Sequence, residues 1–280
     1  MIVDIHTHVF PEKIADAAIA VLEQKARMKA YARGTSEALL TAMNAAGVDF
    51  AVTQPVATSP KQVGKLNALA AEAAAAGGRL IPFGAAHPDD PDWHEGLDAL
   101  TRAGVKGVKI HPMYQETDLD DPRFLRILER AAELGLYVMV HAGEDVGIPG
   151  PARCAPRHVR NALRETGIRT LILAHMGGWG IWDLVEREIA GLPVYLDTSF
   201  AFRPVRPHPA WPRREDELPM GDRTQLVRIL RKHGAERVLF GSDSPWGDPG
   251  EELGVLRGLG LEETELEAVC GGNAARLLGL

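Results

Sequence analysis

The chain has 280 residues, of which 45% are hydrophobic and 25% charged, an ordinary composition for a globular protein with a sizeable core. A net charge of −7 at pH 7 disfavours nucleic acid as the main partner, because phosphate binding needs clustered lysine and arginine. No apolar run reaches the roughly 18 residues of a membrane span and no secretory leader pattern is present, so we expect a cytoplasmic protein without a membrane partner.

The spacing of apolar residues predicts that strands and helices alternate along the chain. Strands are expected at residues 2–8, 48–53, 80–86, 107–111, 136–141, 170–175, 194–197 and 237–243. Helices are expected at residues 11–33, from a cap at Thr35 or Ser36 to Gly47, and at residues 61–76, 93–103, 121–135, 157–165, 181–190 and 223–233. Several of these helices are followed by a glycine, which commonly ends a helix.

The predicted strands are too apolar to be half-exposed, which is typical of parallel strands buried on both faces. Their number, about eight, and the chain length favour an α/β fold, a (β/α)8 TIM barrel that forms a single domain over residues 1–280. A doubly wound open sheet is the alternative. It would carry a glycine-rich phosphate turn after its first strand, whereas this strand ends in His6-Thr7-His8.

In such a barrel the active site lies where the strands end at their C-termini. Alternation along the first strand directs His6 and His8 to the same side, as two adjacent imidazoles suited to a metal ion. Later strands end in Lys109, His111, His141, His175 and Asp243. One histidine at a strand end is more often a hydrogen-bonded core residue, but several with a carboxylate are typical of a catalytic metal site. Cys154 and Cys270 have no paired spacing, so neither a thiolate site nor a disulfide framework is predicted.

The motifs at five strand ends resemble the amidohydrolase superfamily. More narrowly, they resemble the amidohydrolase-related family that includes aminocarboxymuconate semialdehyde decarboxylase and predicted metal-dependent hydrolases. The matching motifs are DIHTH at residues 4–8, GVKIHP at 107–112, VHAG at 140–143, AHMGG at 174–178 and GSDSP at 241–245. The final segment, GNAARLLG at residues 272–279, is also similar to that family's last helix.

The resemblance implies that His6, His8, His141 and Asp243 bind one divalent metal ion. Zinc is the expected ion, with Mn²⁺, Fe²⁺ or Ni²⁺ as alternatives, because imidazole and carboxylate suit all of them. The same resemblance implies that His175 transfers protons close to a metal-activated water, and that Asp243 is a second proton acceptor.

Lys109 has two interpretations. In superfamily members with two metal ions, a fourth-strand lysine becomes a carbamate that bridges them. We favour an unmodified Lys109, a buried ammonium that pairs with an acidic neighbour or with a substrate carboxylate, while Asp4 is expected to support the ligands rather than bind the metal.

Loops after the strands are expected to form the substrate site, notably residues 143–156 and 199–221. Candidate substrate contacts are Lys109, His111, Tyr114, Gln115, Arg153, Arg203, Arg206 and Trp246. For each arginine, an ordinary surface salt bridge is the alternative.

The sequence favours a metal-dependent hydrolase that acts on a small carbonyl substrate, such as a lactone, amide or ester, through a metal-activated water. The alternative is a non-oxidative decarboxylase of a small unsaturated or aromatic acid, and a third hypothesis is a barrel that only binds a ligand. In each case the partner is a small molecule, and the sequence leaves open whether the chain forms a homodimer.

Overall fold

The computed structural model describes residues 1–212, 218 and 221–280, and it confirms the predicted (β/α)8 barrel. Its parallel strands are β1 Val3–Thr7, β2 Phe50–Thr53, β3 Leu80–Pro82, β4 Gly84–Ala85, β5 Gly107–Ile110, β6 Tyr137–Val140, β7 Leu171–Leu173, β8 Tyr195–Asp197 and β9 Val238–Leu239. The pairing order is β1-β2-β3 and β4-β5-β6-β7-β8-β9, so β3 and β4 together form the third strand of the barrel, interrupted at Phe83. The barrel closes where Ile5 N donates to Phe240 O (2.8 Å).

The helices cover the outside of the strands. They are α1 Glu12–Ala26, α2 Ser36–Ala46, α3 Pro60–Ala76, α4 Trp93–Arg102, α5 Pro122–Leu134, α6 Pro156–Thr166, α7 Trp182–Glu188, α8 Arg223–His233, α9 Pro249–Arg257, α10 Glu263–Glu267 and α11 Asn273–Leu278. Helix α5 shows why these segments are helical: the Asp121 side chain caps it by accepting from Arg123 N, and Gly135 ends it in the left-handed conformation. Neighbouring helices pack on one another around the barrel, and α2 packs on α9.

Helix α1 is shorter than the sequence predicts. It ends at Ala26 rather than near residue 33, because Arg27 takes the left-handed conformation with φ 51°. The buried carboxylate of Glu23 then accepts hydrogen bonds from Ala30 N (3.0 Å) and Lys29 Nζ (2.9 Å), which turns the chain back. Because α2 already supplies the helix between β1 and β2, α1 is an addition to the eight-unit barrel.

The barrel interior is filled by apolar side chains that alternate along the strands. The interior cluster consists of Val3, Ile5, Val52, Phe83, Met139, Ile172, Ala174 and Leu239, closed by Ala274 and Leu278 of α11. The outward-facing residues of the same strands pack against the helices in a second, larger cluster. Helix α11 covers the N-terminal end of the barrel interior, which leaves the C-terminal ends of the strands for an active site.

No helix among the described residues has both the length and the hydropathy needed to cross a membrane.

His233, the last residue of α8, is a buried imidazole with a structural role. Its Nδ1 accepts from Gly191 N (3.2 Å) and its Nε2 donates to Val194 O (2.9 Å). Burial lowers the pKa of His233 to about 4, so the folded protein keeps this ring neutral.

We predict that His233 makes the protein less stable as the pH falls from 6.5, the ordinary value for histidine, to about 4. In that window the unfolded chain binds a proton that the folded protein does not, which lowers the free energy of unfolding by up to about 3 kcal/mol. His233→Gln can keep both hydrogen bonds without titrating, so urea unfolding of this variant should depend less on pH. The exposed His94→Gln is the control, and equal pH dependence in wild type and His233→Gln would contradict the assignment.

Candidate metal centre and active site

A cavity of about 570 Å³ opens at the C-terminal ends of the strands. The predicted site residues that line it are His6, His8, Lys109, His111, Tyr114, His141, His175, Asp243 and Trp246. Most of these side chains are buried, so their hydrogen bonds determine what each one can do.

His6 and His8 present unprotonated nitrogens to each other. His6 Nδ1 donates to Asp197 Oδ2 (2.8 Å) and His8 Nδ1 donates to the Gln54 carbonyl (2.7 Å), so a neutral ring has its lone pair on Nε2 in both cases. The two Nε2 atoms lie 3.2 Å apart. A register shift between Asp4 and Thr7 accompanies this arrangement, and such bulges commonly redirect a side chain next to an active site.

Asp243 completes a trio of electron-rich atoms. Its Oδ1 lies 3.2 Å from His8 Nε2 and 3.6 Å from His6 Nε2. Three acceptor atoms with their lone pairs converging on one point repel one another unless a cation lies between them. Two imidazole nitrogens and a carboxylate oxygen fit a divalent transition metal.

His141 and His175 form a second pair of facing lone pairs. His141 Nε2 donates to Glu144 O (2.9 Å) and His175 Nδ1 donates to Ser199 O (3.0 Å). The two remaining nitrogens, His141 Nδ1 and His175 Nε2, therefore face each other at 3.1 Å. His175 also adjoins His6, with ring centroids 5.4 Å apart. His175 therefore contacts both His141 and a member of the trio.

The strands before His175 and Asp243 are shorter than the sequence predicts. They end at Leu173 and Leu239, and His175 and Asp243 follow in irregular backbone with φ of 59° and 58°. The left-handed region is costly for residues other than glycine and is found mainly where the surrounding structure enforces it, often at functional sites.

Asp197 is a site residue that the sequence analysis missed. Its Oδ1 accepts from Ser199 Oγ (2.5 Å), Ser199 N (2.9 Å) and His175 N (3.0 Å), while its Oδ2 accepts from His6 Nδ1. One buried carboxylate thus fixes both His6 and His175. Its position at the end of the seventh predicted strand was the signal that could have identified it.

Lys109 lies against the trio. Its Nζ donates to His6 Nε2 (3.0 Å), which agrees with an unprotonated nitrogen there, and the side chain is buried. Burial lowers the pKa of Lys109 to about 8, against the opposing charges of Asp243 and Asp197.

His111 is a hydrogen-bond donor toward the cavity. Its Nδ1 accepts from Tyr114 N (3.3 Å), so a neutral ring carries its proton on Nε2, 3.6 Å from Asp145 Oδ2. The ring stacks on His141 with centroids 4.1 Å apart. This tautomer leaves His111 Nε2 no lone pair for a metal ion.

Four of the candidate substrate contacts are not brought to the cavity. Gln115 uses its whole amide on backbone atoms, accepting from His111 N (2.9 Å) and donating to Ala57 O (3.0 Å) and Ala86 O (2.7 Å). The three arginines have partners elsewhere: Arg153 pairs with Asp118, Arg203 with Glu251, and Arg206 lies over the Tyr31 ring. Among the described residues, no arginine lines the cavity. Within the predicted loop 199–221, residues 213–217 and 219–220 lie outside the described residues.

Comparison with known proteins gives a family and a fold. A model of the amidohydrolase family matches residues 3–280, while curated proteins give no match. Similar solved structures include 5-carboxyvanillate decarboxylase from Sphingomonas paucimobilis, with 17% identity and a TM-score of 0.72 over 100% of this chain and 99% of that one.

Two further structures share the fold. A putative 2-pyrone-4,6-dicarboxylic acid hydrolase from Pseudomonas putida has 22% identity and a TM-score of 0.66 over 99% of this chain and 97% of that one. A dihydroxybenzoic acid decarboxylase from Polaromonas sp. JS666, solved with manganese and 2-nitroresorcinol, has 14% identity and a TM-score of 0.68 over 100% and 97%. Since the family match spans nearly the whole chain, this protein belongs to the amidohydrolase family.

Proposed function

We propose that the protein is a metal-dependent decarboxylase that removes carbon dioxide, without oxidation, from a small aromatic or unsaturated carboxylic acid. The observation that carries the proposal is the placement of Lys109, a buried cation next to the metal-binding trio at the inner end of a cavity with largely apolar walls. Such a cavity suits a planar apolar body that ends in an anionic group. Two of the solved structures with this fold are decarboxylases of aromatic acids, which supports this choice over the hydrolase that the sequence favoured.

In this proposal His6, His8 and Asp243 hold one divalent cation, with His141 as the fourth ligand. Zinc and manganese both fit the donor set, and one similar structure was solved with manganese. When bound, the cation would polarise substrate oxygens and acidify water. The other groups of the cavity act on the substrate directly.

Each of these groups has a role in the proposed reaction. Lys109 Nζ binds an anionic oxygen of the substrate, and the apolar walls hold its ring.

Proton transfer is assigned to His175 through Nε2, because its Nδ1 is committed to the Ser199 carbonyl. In the neutral ring Nε2 carries a lone pair, so it takes a proton from water before it gives one to the substrate. The carbon that bears the carboxylate takes a proton, and the bond to the carboxylate carbon then breaks. Its electron pair stays on the ring carbon, and carbon dioxide leaves. The carboxylate and one proton become the decarboxylated product and carbon dioxide, so no redox partner is required.

Hydrolysis of a lactone, amide or ester is the second candidate. It is supported by the fold likeness to the putative pyrone dicarboxylic acid hydrolase and by the same His175, which would take a proton from water rather than give one to carbon. The residues serve either reaction, so the products must distinguish them.

The metal-loaded protein is expected to release one carbon dioxide for each hydroxybenzoate-type acid consumed. In D2O it should place one deuterium on the ring carbon that carried the carboxylate. Lys109→Met removes a charged hydrogen bond and should lower kcat/KM for acids by about 10- to 100-fold. Lys13→Met, an exposed substitution on α1, should have no effect. Hydrolysis of neutral lactones without carbon dioxide release would instead support the second candidate.

Metal analysis should find one divalent ion per chain in the wild-type protein. His8→Ala removes a lone pair from the trio and should abolish binding, while His111→Ala should keep the ion because its Nε2 carries a proton. Loss of the ion from His111→Ala, or a stoichiometry near two, would contradict the assignment and revive the carbamate form of Lys109.

Asp197→Asn should weaken metal binding without removing a ligand. The carboxylate now accepts hydrogen bonds from several donors, and the amide would turn its own N–H group toward one of them. His6 would then lose its fixed orientation. Loss of such a supporting hydrogen bond lowers metal affinity by about 10- to 100-fold, measurable by competition with a chromophoric chelator. The exposed Asp183→Asn is the control, and unchanged affinity in Asp197→Asn would rule out the orienting role.

A further inference from the structure

The cavity is larger than a single-ring acid requires. Its volume is about 570 Å³, whereas a cavity of roughly 150 Å³ is enough to hold benzene. The polar groups account for its inner end, where His6 and Lys109 are each only 1% exposed. The remainder reaches the surface between α1 and α3, and we call this part the α1–α3 channel.

The α1–α3 channel has apolar residues on both walls. Ile14, Ala18 and Leu22 of α1 follow one another at intervals of four, which places them on one face of the helix. Leu66 and Leu69 of α3 line the channel as well. Together these side chains form a continuous apolar lining that leads away from the catalytic groups.

The outer part of this lining is exposed to water. Ile14 is 53% exposed and Leu69 is 42% exposed, which is unfavourable for large apolar side chains next to an open cavity. Lys61 and Lys65 of α3 also line the cavity and are exposed, and lysine stems can cover apolar surface while the ammonium group stays in water. A ligand that covers Ile14 and Leu69 would bury this surface.

We propose that the α1–α3 channel binds an extended apolar substituent of the substrate, so that the reacting acid is the head of an alkyl-substituted or multi-ring molecule. The inference rests on the proposed function for the position of the carboxylate. The occupant is assigned to the substrate because the channel is continuous with the catalytic cavity, so one molecule can reach both Lys109 and Ile14.

The test measures binding of benzoate, 4-butylbenzoate and 4-hexylbenzoate to the manganese-loaded protein by titration calorimetry. Affinity is expected to rise about two- to fourfold for each added methylene that the channel buries, with an increasingly negative heat-capacity change. Ala18→Trp adds bulk to the channel and should remove the gain from the alkyl chain. Benzoate affinity should stay within about twofold, since Ala18 lies on the α1 wall and the polar groups lie at the strand ends.

Two matched controls sit on α1. Ala17→Trp places the same indole on an exposed position outside the cavity lining and should keep the full dependence on chain length. Ile14→Ser should reduce the gain from the alkyl chain, whereas Val21→Ser, which is 64% exposed and does not line the cavity, should not. Helical content and thermal midpoints of all variants establish that they are folded.

The outcomes separate this inference from the proposed function. Affinity that does not rise with chain length, equal effects of Ala17→Trp and Ala18→Trp, or no binding by any of the three acids would overturn the channel assignment. A chain-length dependence that Ala18→Trp abolishes, without carbon dioxide release from any acid, would uphold the channel and reject decarboxylation. Carbon dioxide release from single-ring acids, with no gain in affinity from the alkyl chain, would support decarboxylation and reject the channel.

Discussion

The active site depends on one recurring constraint: each imidazole that faces another has its second nitrogen bound to a fixed acceptor. Asp197 holds His6, the Gln54 carbonyl holds His8, the Glu144 carbonyl holds His141 and the Ser199 carbonyl holds His175. Three of these acceptors are backbone atoms, so the fold itself selects the tautomers. The lone pairs that remain converge on the cavity, and this convergence fits a cation in a way that a group of hydrogen-bonded core histidines would not.

The positive charge available to this cluster is limited. Asp4, Asp197 and Asp243 are all buried near it, and Lys109 is the lysine that reaches it. Burial raises the pKa of Asp4 to about 7, even though Ser242 and His6 N donate to its carboxylate. A divalent ion would supply the positive charge that balances these carboxylates. Lys109 would then be free to interact with a substrate anion.

The barrel and the core of the site follow from local patterns in the sequence. Apolar runs ending in His6, His8, Lys109, His141, His175 and Asp243 predict both the strands and the end at which the polar groups meet. What the sequence could not show are contacts between residues far apart in the chain. The Gln115 amide donates to the Ala57 and Ala86 carbonyls. The Glu23 carboxylate accepts from the chain at residues 29 and 30, just after α1 ends. Neither feature leaves a periodic signal, so a substrate contact and a longer helix were predicted instead.

The difference between local sequence patterns and long-range contacts also affects how the reaction and the substrate specificity can be inferred. A residue inventory cannot separate hydrolysis from decarboxylation, because His175 can give or take a proton and the reacting carbon is positioned by the walls of the cavity. One of those walls is α1, which is not one of the helices that complete the barrel. A substrate held along α1 would have its reacting carbon placed by the distance from the channel to Lys109. Changes in α1 could then alter substrate choice while the strand-end residues, and the barrel that orients them, stay the same.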